Sequence, residues 1–163
     1  RGKNYWDYDI KDLGFNYRLN DLQAALGISQ LKRLDSFVEQ RILIAKKYDK
    51  IFQAETDLKS PYQARQSVSS FHLYIIRIKK QGKLDRKVIF EKLRNNGILV
   101  NIHYIPIYRQ PFYSKDYSIE NFPNAESYYE EAISLPIFPG LTDDQIELVA
   151  ETLKKPMNYQ NIF

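Results

Sequence analysis

The sequence predicts an α+β domain, in which one long N-terminal helix precedes a small sheet covered on one face by helices. Three observations predict it. The first is bulk: 163 residues, 44% of them hydrophobic, suffice for one buried core and argue against disorder. The second is a helical period that begins at Leu19 and persists to Phe52. The third is the alternation beyond residue 70, where β-branched runs take turns with capped helical segments.

Residues 1–12 mix charges with aromatics and show no period, so they read as a loop or an extended arm. With no initiator methionine, this opening reads as the interior of a longer chain. From Leu19 onward, Leu22, Ala25, Leu26, Ile28, Leu31 and Leu34 recur at three- and four-residue spacing. Asn20 followed by Gln23 is a capping-box pair, with the Asn oxygen taking an early backbone N–H. Phe37, Val38, Ile42, Ala45, Tyr48 and Phe52 continue the apolar face. The spacing predicts either one helix over 20–53 or two helices broken near Asp35.

Residues 53–70 are polar, contain Pro61 and four serines, and read as a connector. The run 71–78 is rich in β-branched and aromatic residues and predicts a strand. A loop with Gly82 leads to a helix from Asp85 to Asn95, whose apolar face is Val88, Ile89 and Leu93. Gly97 stands where a helix C-terminal glycine belongs. Residues 98–104 predict a second strand, and an irregular, tyrosine-rich stretch with Pro111 comes next. Pro123 opens a helix to about Ala132, and residues 133–136 predict a third strand. Thr142 and Gln145 form another capping box, with Leu141 and Ile146 as its hydrophobic staple, for a helix to about Lys155. The tail after Pro156 reads as loose. The division expected is an arm and connecting helix over 1–53, then a small domain over 54–163.

Composition excludes several chemistries within this sequence. Without cysteine there is no disulfide, thiolate metal site or cysteine nucleophile, and two histidines do not make a histidine-rich metal site. Apolar runs such as Ile42–Ala45 are far too short for a membrane span, and no leader pattern opens the sequence, so a cytoplasmic location is expected. The net charge of +4 is dispersed, and clusters such as Lys32-Arg33 read as solvated faces, so no nucleic-acid partner is expected. Thirteen tyrosines suit a sugar-binding surface, and they suit packing and subunit contacts equally.

No Gly-rich phosphate loop, nucleophile elbow or HExxH motif is present. The Gly14-Phe15-Asn16-Tyr17-Arg18 turn sets an amide and a cation before a helix, either to hold a phosphate or to cap the helix beside a solvated Arg. His103-Tyr104 closes an apolar strand just before Pro106, at the kind of strand end where sites collect. There His103 binds hydroxyls or phosphate, or relays a proton, or is a half-buried histidine satisfied by backbone. His72, inside the first strand, reads as structural. Tyr108, Tyr113 and Tyr117 read as a binding lip or as loop packing.

The run from Gly14 through Gly27, Gly-Phe-Asn-Tyr-Arg-Leu-Asn-Asp-Leu-Gln-Ala-Ala-Leu-Gly, followed by Gln30-Leu31, resembles the signature of the DegT/DnrJ/EryC1/StrS sugar aminotransferases. Four further segments agree in order: His72-Leu73-Tyr74; Gly97-Ile98 with Val100 through Pro106; Pro123-Asn124-Ala125-Glu126; and Ser134-Leu135-Pro136 leading to Gly140-Leu141-Thr142. The resemblance implies the C-terminal small domain, with its connecting helix, of an aspartate-aminotransferase-like enzyme of pyridoxal-phosphate fold type I. It implies a homodimer that moves an amino group, usually from glutamate, to a keto carbon of a nucleotide-linked sugar. The Asn16–Asn20 and His103–Tyr108 runs resemble the branch serving pseudaminic acid synthesis, which aminates C-4 of a UDP-linked 4-keto-6-deoxy-N-acetylhexosamine.

Residue by residue, Asn16 matches the family asparagine that crosses the dimer to the neighbouring cofactor phosphate and sugar. Asn101, Ile102, His103 and Tyr104 match the segment lining the sugar-nucleotide pocket, and Arg18 follows the family pattern without an assigned role. The Schiff-base lysine, the aspartate facing the pyridine nitrogen and the stacking aromatic match no position here. No catalytic residue and no metal ligand is therefore assigned, and these 163 residues alone are expected to be inactive. The alternative is a truncated, non-catalytic sugar-nucleotide-binding or interaction module.

Overall fold

A computed structural model describes residues 14–15, 17–79 and 85–154. The expected arm over 1–12, the Gly82 loop, the tail after Pro156 and Asn16 lie outside the described residues. The chain forms two compact units, Arg1–Leu34 and Asp35–Phe163.

The first unit holds α1, Asp21–Leu31. Its capping box is formed as expected: the Gln23 N–H donates to Asn20 Oδ1 at 2.9 Å, and the Asn20 N–H donates to Gln23 Oε1 at 3.1 Å. No residue of α1 is buried, and Leu22, Leu26 and Leu31 all stand exposed. The helical pattern is broken at Lys32-Arg33, so the two-helix alternative holds.

The next helix, α2, spans Leu34–Phe52 and buries Ile44, Ala45, Tyr48 and Phe52. In the second unit these side chains meet a three-stranded antiparallel sheet in the order β1 (Leu58–Lys59), β2 (Tyr74–Ile78) and β3 (Ala132–Leu135). Leu58 pairs with Ile78, and Ile75 pairs with Ser134. Tyr74, Ile76 and Ile78 alternate into the core, as a strand with one face against the core requires. α3 (Arg86–Asn95) adds Ile89 and Leu93 to that core, and α5 (Asp143–Lys154) adds Ile146, Val149, Ala150 and Leu153. α4 (Pro123–Glu131) runs directly into β3, and the Arg77–Glu131 ion pair ties it to β2.

The expected caps are in place. Asp85 accepts the Val88 N–H at 3.0 Å, and Gly97 ends α3 at φ +75°, a conformation glycine adopts without a Cβ penalty. Thr142 and Gln145 exchange hydrogen bonds of 3.0 and 3.3 Å at the start of α5.

Three sequence expectations need correction. The run 98–104 is no strand: its pairing is one isolated bridge, Asn101 to Ser134. The reason is local. The Asn101 side chain takes the Ile102 N–H at 2.8 Å, a bond that competes with a ladder. The connector over 53–70 holds the short strand β1, whose two residues are too few to show a period. The first strand is also shorter than expected, beginning at Tyr74.

Candidate functional site

The predicted pocket segment runs along the edge of β3 away from β2. Ser134 pairs with Ile75 on one side and with Asn101 on the other. The Ser134 N–H donates to the Asn101 carbonyl at 2.8 Å, and the Asn101 N–H donates back at 3.4 Å. Past this bridge the chain leaves the sheet, and His103 returns to it through its side chain, with Nδ1 2.7 Å from Ser134 Oγ. The Tyr104 ring meets the His103 ring edge-on, with centroids 4.6 Å apart, and is otherwise exposed. Ile102 and His103 are half-buried.

The structure therefore brings Asn101, His103 and Ser134 together, with Tyr104 as the outer wall. Phe90, Arg94, Leu99, Val100 and Asn101 line an open groove of about 530 Å³, and Asn101 is the residue that this groove shares with the cluster. A cavity of this size is of the order that small ligands occupy, roughly 300–1,000 Å³. Its polar lining is a guanidinium and an amide with no carboxylate, a set that favours an oxygen-rich or anionic ligand.

Asn16 lies outside the described residues. Its neighbours Phe15 and Tyr17 are exposed and stacked, with centroids 5.7 Å apart. They belong to the first compact unit, and Asn101 to Tyr104 belong to the second. His72 is exposed, and its carbonyl accepts from Arg41 at 3.2 Å. Tyr108 stacks on Phe122 at 4.3 Å, Tyr117 tilts against the same ring at 6.2 Å, and Tyr113 meets Phe112 edge-on. Arg109 pairs with Glu126 and lies over the Tyr129 ring at 5.1 Å. Loss of hydration raises the Tyr108 phenol above its ordinary value, and the Glu126 carboxylate adds to the effect.

Sequence reasoning missed Ser134 at this edge and Arg94 in the groove. The signal for Ser134 was present: it is the one hydroxyl in a four-residue strand buried throughout. Arg94 gave none, because a basic residue in the last turn of a helix is the ordinary electrostatic choice. Among the described residues no group of three or more His, Asp or Glu forms a candidate metal site. No helix among them is long and apolar enough to cross a membrane.

Comparison with known proteins gives the family of the chain. A transaminase from Campylobacter jejuni, UDP-4-amino-4,6-dideoxy-N-acetyl-beta-L-altrosamine transaminase, is 37% identical over 156 residues, or 93% of this chain and 40% of that protein. The structure of Helicobacter pylori PseC, an aminotransferase of pseudaminic acid biosynthesis, superposes with a TM-score of 0.79 at 32% identity, covering 93% of this chain and 41% of that one. Spr1654 of Streptococcus pneumoniae, solved in a PLP form, superposes with a TM-score of 0.79 at 31% identity, covering 91% of this chain and 38% of that one. The chain thus spans about two-fifths of the length of these relatives. The fold is the helix and small-sheet portion of such aminotransferases, and the family profile matches residues 1–154: the chain belongs to the DegT/DnrJ/EryC1/StrS aminotransferase family.

Proposed function

We propose that the intact protein is a pyridoxal-phosphate-dependent aminotransferase acting on a nucleotide-linked 4-keto-6-deoxy sugar, UDP-linked as in the C. jejuni relative, and that this segment supplies part of the sugar-nucleotide pocket. The observation that carries the reading is the joint fastening of Asn101 and His103 to Ser134. One buried residue sets both at a single sheet edge, and Asn101 also lines a groove whose polar side chains among the described residues are Arg94 and Asn101.

In this proposal the groove holds part of the sugar nucleotide and is not the seat of the cofactor ring. No carboxylate lines the groove to meet a pyridine nitrogen. In this proposal the lysine, carboxylate and stacking ring belong to the family length that the chain does not span, and the 163 residues alone are inactive. When bound, the cofactor supplies the electron sink for amino transfer. The residues here orient the sugar: His103 and Asn101 hydrogen-bond its oxygens, Tyr104 and Ile102 flank it, and Asn16 reaches the cofactor phosphate and sugar of a second protomer. Glutamate is the proposed donor, a homodimer the proposed assembly and the cytoplasm the proposed location.

The test is to express the polypeptide as its gene encodes it, with pyridoxal phosphate, glutamate and a UDP-linked 4-keto-6-deoxy-N-acetylhexosamine. Formation of the 4-amino sugar with 2-oxoglutarate supports the reading. A native polypeptide no longer than 163 residues that binds the sugar nucleotide without turnover replaces it with the binding-module alternative.

A further inference from the structure

Ser134 is the one polar side chain in β3, and it is 5% exposed. A hydroxyl buried at that level costs free energy unless it is hydrogen-bonded. Its partner is His103 Nδ1 at 2.7 Å, thirty-one residues away in sequence. Among the described residues neither the Ser134 hydroxyl nor His103 Nε2 has any other hydrogen bond.

For a neutral imidazole, that pairing favours one of two proton arrangements. A hydroxyl has one hydrogen to give and two lone pairs to offer. If Nδ1 carried the imidazole proton, Ser134 would accept it, and its own O–H would be buried with no acceptor. If Nδ1 is bare, Ser134 donates to it, and only acceptor capacity is left unused, which folded proteins tolerate better than an orphaned donor. The second arrangement puts the neutral imidazole proton on Nε2. The backbone pairing of Ser134 with Asn101 meanwhile fixes the start of the three-residue span that carries the ring.

We propose that Ser134 is a positioning residue: it donates to His103 Nδ1, fixes the imidazole ring, and so presents Nε2–H as a donor to an oxygen of the sugar nucleotide. The proposal rests on the sugar-nucleotide reading of the intact protein. It assigns no proton transfer to Ser134 and requires no contact between Ser134 and ligand.

The test uses the intact protein, selectively labelled with ¹⁵N-histidine, and two variants. Ser134→Ala removes the hydroxyl and keeps the backbone pairing, and Ser134→Thr keeps the hydroxyl. The His103 resonances are identified by their loss in His103→Gln. In the wild type, Nε2 should carry the proton and Nδ1 should show the shift of a nitrogen accepting a hydrogen bond. In Ser134→Ala, the Nδ1 resonance should move toward that of a free lone pair, and KM for the sugar nucleotide should rise about tenfold, the loss of roughly one oriented hydrogen bond. The half-reaction with the amino donor should be unchanged, and Ser134→Thr should restore both readouts.

A proton on Nδ1 in the wild type overturns the proposal, even if Ser134→Ala fails to fold. Identical His103 spectra in the wild type and Ser134→Ala overturn it, as does equal loss in both half-reactions. If the wild type turns over no sugar nucleotide, the functional reading falls and the proposed ligand with it, while the ¹⁵N spectrum still decides which of the two groups donates.

Discussion

Arg41 on α2 donates to the Ile137 carbonyl at 2.8 Å, although ninety-six residues separate the two. The same nitrogen lies 3.2 Å from the carbonyls of Phe71 and His72. One guanidinium thus joins α2 to the corner entering β2 and to the segment leaving β3. That corner holds Phe71 at φ +44°, a left-handed conformation that costs a non-glycine residue about 1–2 kcal/mol. Arg41→Ala is expected to lower stability by about 2 kcal/mol, in the range for hydrogen bonds to a charged group. Arg41→Lys should recover only part, because an ammonium lacks the planar fork. Urea unfolding of the three proteins measures it, and an unchanged midpoint in Arg41→Ala would show that the tie contributes nothing.

The two capping boxes should behave differently. Thr142→Ala is expected to cost about 1 kcal/mol in global unfolding, because α5 packs its apolar face into the core. Asn20→Ala removes an equivalent cap from a helix that buries nothing. Its loss should appear as reduced helicity by circular dichroism, with the global unfolding midpoint unmoved. Equal shifts in that midpoint for the two variants would contradict the difference in packing.

Alkaline pH should expose two hidden phenols. Tyr48 donates to the Pro136 carbonyl at 3.1 Å, and Tyr74 donates to Asp49 at 2.7 Å; both rings are fully buried. Burial pushes both phenols well above their ordinary value, and for Tyr74 the neighbouring Asp49 carboxylate adds to the rise. The sign comes from linkage. Below the unfolded value, about pH 10, both states hold the proton and the contribution is intact. Above it the unfolded chain releases protons that the folded chain keeps, so stability falls as pH rises. Urea midpoints at about pH 9 and about pH 11 should show the drop, and it should be smaller in Tyr48→Phe and Tyr74→Phe combined. Ultraviolet titration should find these two phenols ionising only on unfolding.

Substitutions in the proposed site should separate binding from folding. His103→Ala in the intact protein is expected to raise KM for the sugar nucleotide about tenfold or more, through loss of an oriented donor. A loss of stability with unchanged sugar kinetics would mark His103 as a structural histidine. Asn16→Ala should weaken cofactor or sugar binding, read by absorbance titration with pyridoxal phosphate and by steady-state kinetics. Unchanged values in both would remove Asn16 from the site.

The features legible in the sequence were those decided locally. The caps at Asn20, Asp85 and Thr142 each involve a residue three positions away, so spacing alone disclosed them. The core faces of α3 and α5 emerged from period in the same way. The run 98–104 misled because its composition is that of a strand, and whether it pairs depends on the Ile102 N–H, which a neighbouring side chain takes. Part of the candidate site was equally hidden. His103 stood out beside a proline at the end of an apolar run, but its partner is fixed only by the register of β3. No rule of spacing connects residues thirty-one apart.

The bare surface of α1 has a consequence for how this protein can be observed. An eleven-residue helix is shorter than the roughly 12–15 residues at which isolated helices become marginal in water. Three exposed leucines gain none of the approximately 1.5–3 kcal/mol that burial gives each. Its winding is therefore conditional, and its amides should exchange with solvent orders of magnitude faster than those of α5. Protection of the Ala24 and Ala25 amides is then a built-in gauge of assembly. Slow deuterium uptake there reports that something has closed over the helix, and the same signal read against protein concentration tells a second copy from a contact within one polypeptide.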